Sequence, residues 1–184
     1  GTRMRVTVAK TAGFCFGVRR ALELTQKSAA ERPTCTLGEL IHNRQVVEDL
    51  ERQGVPVIEK PEDAPADAAV VLRSHGVPPT VYDILQGQGN PIVDATCPFV
   101  KRLHTIAAEV PPEGVLLLAG QRLHPEVQGI LGYCRGRAFP FAAAEELAEI
   151  LEKEDFSGEN PVILAAQTTF SLREWEKIIF FAKK

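Results

Sequence analysis

The chain has 184 residues, 45% of them hydrophobic, enough for a buried core in one domain or two small ones. Its 21 basic and 24 acidic residues leave a formal charge of −3, which argues against a nucleic-acid partner, and local clusters such as "RRALE" and "VKRLH" read as solvated helix faces. No run approaches the roughly 18 apolar residues of a membrane span, and the opening "GTRMRV" is too short and polar for a secretion signal, so a cytoplasmic location away from membranes is expected.

In chain order, "RVTVAK" alternates, is rich in Val and predicts a strand. A helix follows with Val18, Ala21, Leu22 and Thr25 on one face. "TCTLG" is the next strand, and "RQVVEDLERQG" a helix that stops at Gly54. "VPVIE" and "AAVVLRS" are strands, the second an unbroken apolar run of the kind buried in parallel sheets. "PPTVYDILQGQG" opens with proline as a helix does, and "PIVDA" is a strand. In "PFVKRLHTIAAEV" the residues Phe99, Val100, Leu103, Ile106, Ala107 and Val110 form one helical stripe. Then come strand "GVLLLAG", short helix "PEVQGILGY", weak strand "RAFPFA", helix "AAEELAEILEK", strand "PVILAAQ" and helix "SLREWEKIIFFAKK".

This alternation predicts an α/β fold of two similar small domains, each a parallel sheet flanked by helices, with the boundary near Cys97 and Pro98. Ile178, Ile179, Phe180 and Phe181 crowd the last turns with nothing after them to cover them. That ending is expected of a chain that has lost a C-terminal part.

The four cysteines are too few for a disulfide framework and fit a reducing compartment, where placed thiols point to metal or redox chemistry. Cys15 in "AGFCFGVRR" and Cys97 in "DATCPFV" both follow a strand and open a helix. Amide N–H groups and the helix dipole favour a thiolate at such corners. The alternative is a pair of buried structural cysteines. Cys35 and Cys134 lack the Gly or Pro corner and read as structural.

Three of the four histidines also follow strands: His42 in "GELIHNR", His75 in "RSHGV" and His124 in "GQRLHPEV". In open α/β sheets, ligands bind beyond the carboxyl ends of the strands. Imidazoles near helix N-termini make an anion pocket, with phosphate or diphosphate the natural guest. His104, inside the periodic helix, reads as an ordinary surface or boundary residue. Glu126 either complements the dipole of the helix it opens or serves as a proton donor. Thr168 and Thr169 of "AQTTFS" either cap the last helix or offer a hydroxyl to a ligand.

In this order, "GFCFGV", "GELIHN", "SHGV", "DATCP", "HPEV" and "QTT" resemble the LytB family of 4-hydroxy-3-methylbut-2-enyl diphosphate reductases, from Met4 to nearly the end. The resemblance implies an iron–sulfur oxidoreductase of the non-mevalonate isoprenoid pathway. Such an enzyme removes the hydroxyl of an allylic diphosphate and yields isopentenyl and dimethylallyl diphosphates. It implies a 4Fe-4S cluster held by three cysteines, with Cys15 and Cys97 matching two of them. It implies diphosphate binding by His42, His75 and His124, a proton relay through Glu126, and Thr168 near the substrate hydroxyl. It also implies a ferredoxin- or flavodoxin-type electron donor.

Members of that family continue for about another third of their length, and the continuation carries the third cluster cysteine. The expected division is therefore residues 14–97 and 98–184 as two domains, with 4–13 a strand that would normally join an absent third. Two other readings stand beside the reductase: a non-catalytic diphosphate-binding fragment, and a zinc-dependent hydrolase using Cys15, Cys97 and a histidine.

Overall fold

The computed structural model describes residues 6–8, 17–156 and 161–182. They divide into two compact units, residues 17–101 and residues 6–8 with 102–182. Each unit is built on a four-stranded, all-parallel sheet.

In the first unit, helix α1 (Gly17–Glu31) leads into β2 (Thr34–Leu37), α2 (Arg44–Arg52), β3 (Val57–Ile58), β4 (Ala69–Leu72), α3 (Pro79–Gln88) and β5 (Ile92–Asp94). The spatial order is β3-β2-β4-β5. Alternate residues of β4 face opposite layers, and this fills two cores. Val70 and Leu72 pack with Cys35, Leu37, Val77 and Leu85. Val71 packs with Ala21, Leu40, Leu50 and Val55 under α1 and α2. Every residue of β2 and β4 is buried, as expected for strands covered on both faces. Asn43 caps α2, its side-chain oxygen accepting from the N–H groups of Gln45 and Val46 at 3.0 and 3.3 Å. Gly89 closes α3 in the left-handed region, at φ 78°.

In the second unit, β1 (Val6–Val8) joins β6 (Val115–Ala119), β7 (Arg137–Phe141) and β8 (Val162–Ala166) in the order β1-β8-β6-β7. Helices α5 (Pro125–Tyr133), α6 (Ala144–Lys153) and α7 (Leu172–Ala182) connect or flank them, with α4 (Pro98–Glu109) leading in. Leu116 and Leu118 of β6 meet Leu103, Ala107, Val127 and Ile130 on one face. Val115, Leu117 and Ala119 meet Phe141, Leu147, Leu164, Trp175 and Ile178 on the other. Phe141→Ala opens a cavity in that second core, so a loss of about 3–5 kcal/mol is expected in urea-melt stability.

The α/β architecture with two similar parallel sheets agrees with the sequence reading. Of residues 4–13, expected as a strand that would normally join an absent third domain, only 6–8 are described. Here Val6–Val8 pair in parallel with Val162–Leu164, because the edge of β8 away from β6 offers free N–H and C=O groups. Phe99 leaves the predicted stripe and is 38% exposed, since the buried face of α4 runs through Val100, Leu103, Ala107 and Val110. His104 is buried rather than at the surface, its ring stacked on Tyr133 with centroids 4.3 Å apart. Of the four apolar residues at the end of the chain, Ile178 is fully buried and Ile179 packs on the same core, while Phe180 and Phe181 are exposed.

Candidate functional site

Both sheets share one topological device. In the first unit the chain runs from β2 outward to β3, then returns past β2 to β4. In the second it runs from β6 outward to β7, then returns past β6 to β8. The connections leaving β2 and β4 therefore diverge in opposite directions, and the segments leaving β6 and β8 lead to α5 and α7 on opposite faces of their sheet. Each divergence opens a crevice at the carboxyl ends of two adjacent strands. His42 and His75 fall at the first, and His124, Glu126 and Thr168 at the second.

Beyond β2, Gly38 turns the chain at φ 75°, and Leu40 plugs the core. His42 is left exposed, its Nδ1 3.9 Å from a carboxylate oxygen of Glu39. Beyond β4, Arg73, Ser74 and His75 precede Gly76, and His75 is half-buried. Two of the predicted anion-binding histidines thus leave the paired strands that frame the first crevice.

Beyond the neighbouring β5 comes Cys97. Its N–H donates to the carbonyl of Ser74 at 3.0 Å, and its carbonyl accepts from Lys101 at 2.9 Å, the first turn of α4. The side chain is 5% exposed. The loop before it is pinned by Asp94. That carboxylate accepts from the Thr96 N–H at 3.0 Å and the Tyr82 hydroxyl at 2.8 Å, and pairs with Lys101 at 2.9 Å. Burial alone would raise the Asp94 carboxyl, but the hydrogen bonds from Thr96, Lys101 and Tyr82 outweigh it and hold it below the usual range.

In the second crevice, Gly120 follows the last residue of β6, and His124 caps α5. The His124 Nδ1 accepts from the Glu126 N–H at 3.1 Å. An accepting Nδ1 leaves the neutral ring's proton on Nε2, which is then a donor. Glu126 is only 2% exposed. One of its carboxylate oxygens accepts from the Thr168 N–H at 2.7 Å, the other from the Thr168 hydroxyl at 2.9 Å. The structure thus brings together three predicted residues, His124, Glu126 and Thr168, from the ends of β6 and β8. Gln167 ties the same two ends, accepting from the Gln121 N–H at 3.1 Å and donating to the Thr169 hydroxyl at 3.1 Å. A cavity of about 590 Å³ adjoins them, lined among others by His124, Gln121, Gln167, Thr169 and the carboxylates of Glu145 and Glu174.

Burial raises the Glu126 carboxyl above its ordinary 4.5, despite the two Thr168 hydrogen bonds and the nearby His124. It therefore keeps its proton at a pH where an exposed carboxyl has lost it. An acid that holds its proton more tightly when folded makes unfolding release a proton. Stability is then fullest below 4.5 and falls as pH rises from there through the raised folded value. The slope reaches at most about 1.4 kcal/mol per pH unit. Asp94, held low, acts in the opposite sense further down the scale. Denaturant melts across pH are expected to show the descending limb in the wild type and its loss in Glu126→Gln.

Of the three described cysteines, Cys97 has the setting of a ligand: a thiol directly at a helix N-terminus, with its backbone already fixed. Its donor chemistry fits a thiolate-bound iron centre. Cys15 lies outside the described residues. Among the described residues no group of three His, Cys, Asp or Glu is placed to hold a metal. Cys35 sits inside β2 and Cys134 ends α5, and burial pushes both thiols up, the mark of inert structural cysteines. Sequence reasoning missed Gln167, Arg73 and the Asp94 cluster. Their signal was weak but present, since each follows the last residue of a strand or ends one.

The family profile described as LytB protein matches residues 6–184. A protein of Syntrophotalea carbinolica named 4-hydroxy-3-methylbut-2-enyl diphosphate reductase is 40% identical over 178 residues, covering 95% of this chain and 61% of its own. One of the same name from Thermoanaerobacter sp. (strain X514) is 38% identical over 182 residues, covering 96% of this chain and 61% of its own. A solved (E)-4-hydroxy-3-methyl-but-2-enyl diphosphate reductase, described as the terminal enzyme of the non-mevalonate pathway, superposes with a TM-score of 0.78 at 35% identity. That superposition covers 97% of this chain and 63% of the solved one. The chain spans about 61% of the length of the curated relatives it matches.

Proposed function

The chain belongs to the LytB family, and from that premise we propose that it serves the reductive dehydroxylation of 4-hydroxy-3-methylbut-2-enyl diphosphate to isopentenyl and dimethylallyl diphosphates. Per turnover the allylic C–O bond breaks, two electrons and two protons are consumed, and the hydroxyl leaves as water. His42, His75 and His124 bind the diphosphate, and the Nε2–H of His124 donates to a phosphate oxygen. Glu126 donates the proton that turns the departing hydroxyl into water. Thr168 orients that acid and faces the substrate hydroxyl.

Cys15 and Cys97 are ligands of a 4Fe-4S cluster, which when bound supplies the electrons and an open Lewis-acidic iron. A ferredoxin- or flavodoxin-type protein is the electron donor. The observation that carries this reading is the buried Glu126 carboxyl, which is tied through both oxygens to Thr168 and sits two residues after the His124 cap.

Anaerobic reconstitution with iron and sulfide tests the proposal, on a protein in which these residues are followed by the continuation that supplies the third cysteine. The expected product is a brown protein whose iron survives desalting and which consumes the allylic diphosphate in the presence of a chemical reductant. A colourless product without turnover overturns it, and zinc in the same metal analysis points to the hydrolase instead.

A further inference from the structure

We propose that Arg73 is a further anion-binding residue of the crevice between β2 and β4, contacting the substrate's phosphate groups directly alongside His42 and His75. This inference rests on the reading that this crevice takes a diphosphate.

Arg73 immediately follows Leu72, the last residue of β4, and β4 pairs there with the end of β2. Its guanidinium lies against the backbone of Gly38. A Cβ at Gly38 would stand 2.6 Å from Nη1, 2.7 Å from Cζ and 2.9 Å from Nε. Gly38 is thus required twice, by its positive φ and by the seat it leaves for the arginine. The contact sits where the loops to His42 and His75 begin to diverge.

The charge there is poorly compensated. The buried Nε meets no hydrogen-bond acceptor among the described residues. Burial pushes the Arg73 guanidinium below its usual range, and the charge of Glu59 only partly opposes this. Even exposed arginines of the chain find acceptors. Arg20 donates to the Thr96 carbonyl, and Arg137 to Glu154 and the Asp155 carbonyl. A desolvated cation kept for stability alone is a poor choice, because replacing it by an apolar side chain of similar length is commonly neutral or stabilising. A bound polyanion supplies the missing compensation. The planar guanidinium suits both demands, lying flat over a glycine and presenting a fork of donors to phosphate oxygens.

The test is calorimetric titration of the intact protein with inorganic pyrophosphate, beside thermal melts of each variant. Arg73→Met is expected to weaken pyrophosphate binding about ten-fold or more, the worth of one charge-assisted hydrogen bond, with an unchanged or higher Tm. Arg73→Lys is expected to keep part of the affinity, because the charge remains. Undiminished binding in Arg73→Met overturns the proposal. So does an equal loss in both variants accompanied by a fall in Tm, which marks a packing role. Wild-type protein that binds no pyrophosphate overturns the diphosphate reading of the crevice itself and this inference with it.

Discussion

Glu126→Gln is expected to lower reductive turnover of the cluster-loaded holoenzyme by about 10²–10⁴-fold, the usual worth of a positioned general acid, without unfolding the protein. The geometry explains why the two effects separate. The Thr168 N–H can still donate to an amide oxygen in place of the carboxylate oxygen it now meets at 2.7 Å. The Thr168 hydroxyl, now a donor at 2.9 Å, can turn to accept from the amide nitrogen. The helix cap is untouched, because the His124 Nδ1 takes the backbone N–H of residue 126 and not its side chain. What the amide lacks is a transferable proton. It also lacks a charge to desolvate, so at neutral pH the variant is expected to be at least as stable as the wild type. Single-turnover kinetics under anaerobic conditions, with urea melts alongside, check both parts. Unchanged turnover would reduce Glu126 to the opening residue of α5.

Cys97→Ser is expected to abolish retention of iron after reconstitution while leaving the fold intact. The backbone of residue 97 carries its structural duties, through the bonds to Ser74 and Lys101. Serine is also a better residue than cysteine before a helix, since its hydroxyl accepts from the next amides. A serine hydroxyl is not ionised near neutrality and does not replace a thiolate on iron. The same replacement at Cys35 is expected to behave in the opposite way. Iron retention should not change, but a hydroxyl placed in the fully buried β2 should cost about 1–3 kcal/mol. Iron analysis and urea melts of the two variants, run side by side, distinguish a ligand from a core residue. Equal iron in wild type and Cys97→Ser would remove Cys97 from the ligand set.

The strands that lie deepest were the most legible. "AAVVLRS" and "GVLLLAG" are unbroken apolar runs because both faces of β4 and β6 are covered, and that pattern is written in adjacent residues. β3 shrank to two residues from a longer expectation, because an edge strand is held by only one neighbour. His104 was misread because its neighbours Lys101 and Arg102 suggest a wet face, whereas its flat ring finds Tyr133 on a different helix.

The site was legible as corners. Gly, Pro and His after apolar runs mark where strands stop and helices start, and strand ends are where ligands bind. Strand order was not legible. The pairing of the His42 loop with the His75 loop, and of Glu126 with Thr168, depends on the chain doubling back across its own sheet. No local pattern records that. Arg73 and Gln167 were passed over for a related reason. Long polar side chains after a strand look solvated until the neighbouring strand end is known to close over them.

The pairing of β1 with β8 has a consequence for how the molecule is made. Synthesis proceeds from the N-terminus, and domains fold largely as they emerge. Residues 17–101 contain all four strands of their sheet and can fold as soon as they leave the ribosome. Val6–Val8 are made before that unit, yet their partners Val162–Leu164 are made after it. That strand must wait, unpaired, until β8 has been made. Closing so long a loop is slow and entropically costly. Among the described strands, β1 is therefore made before the others of its sheet and enclosed only with β8.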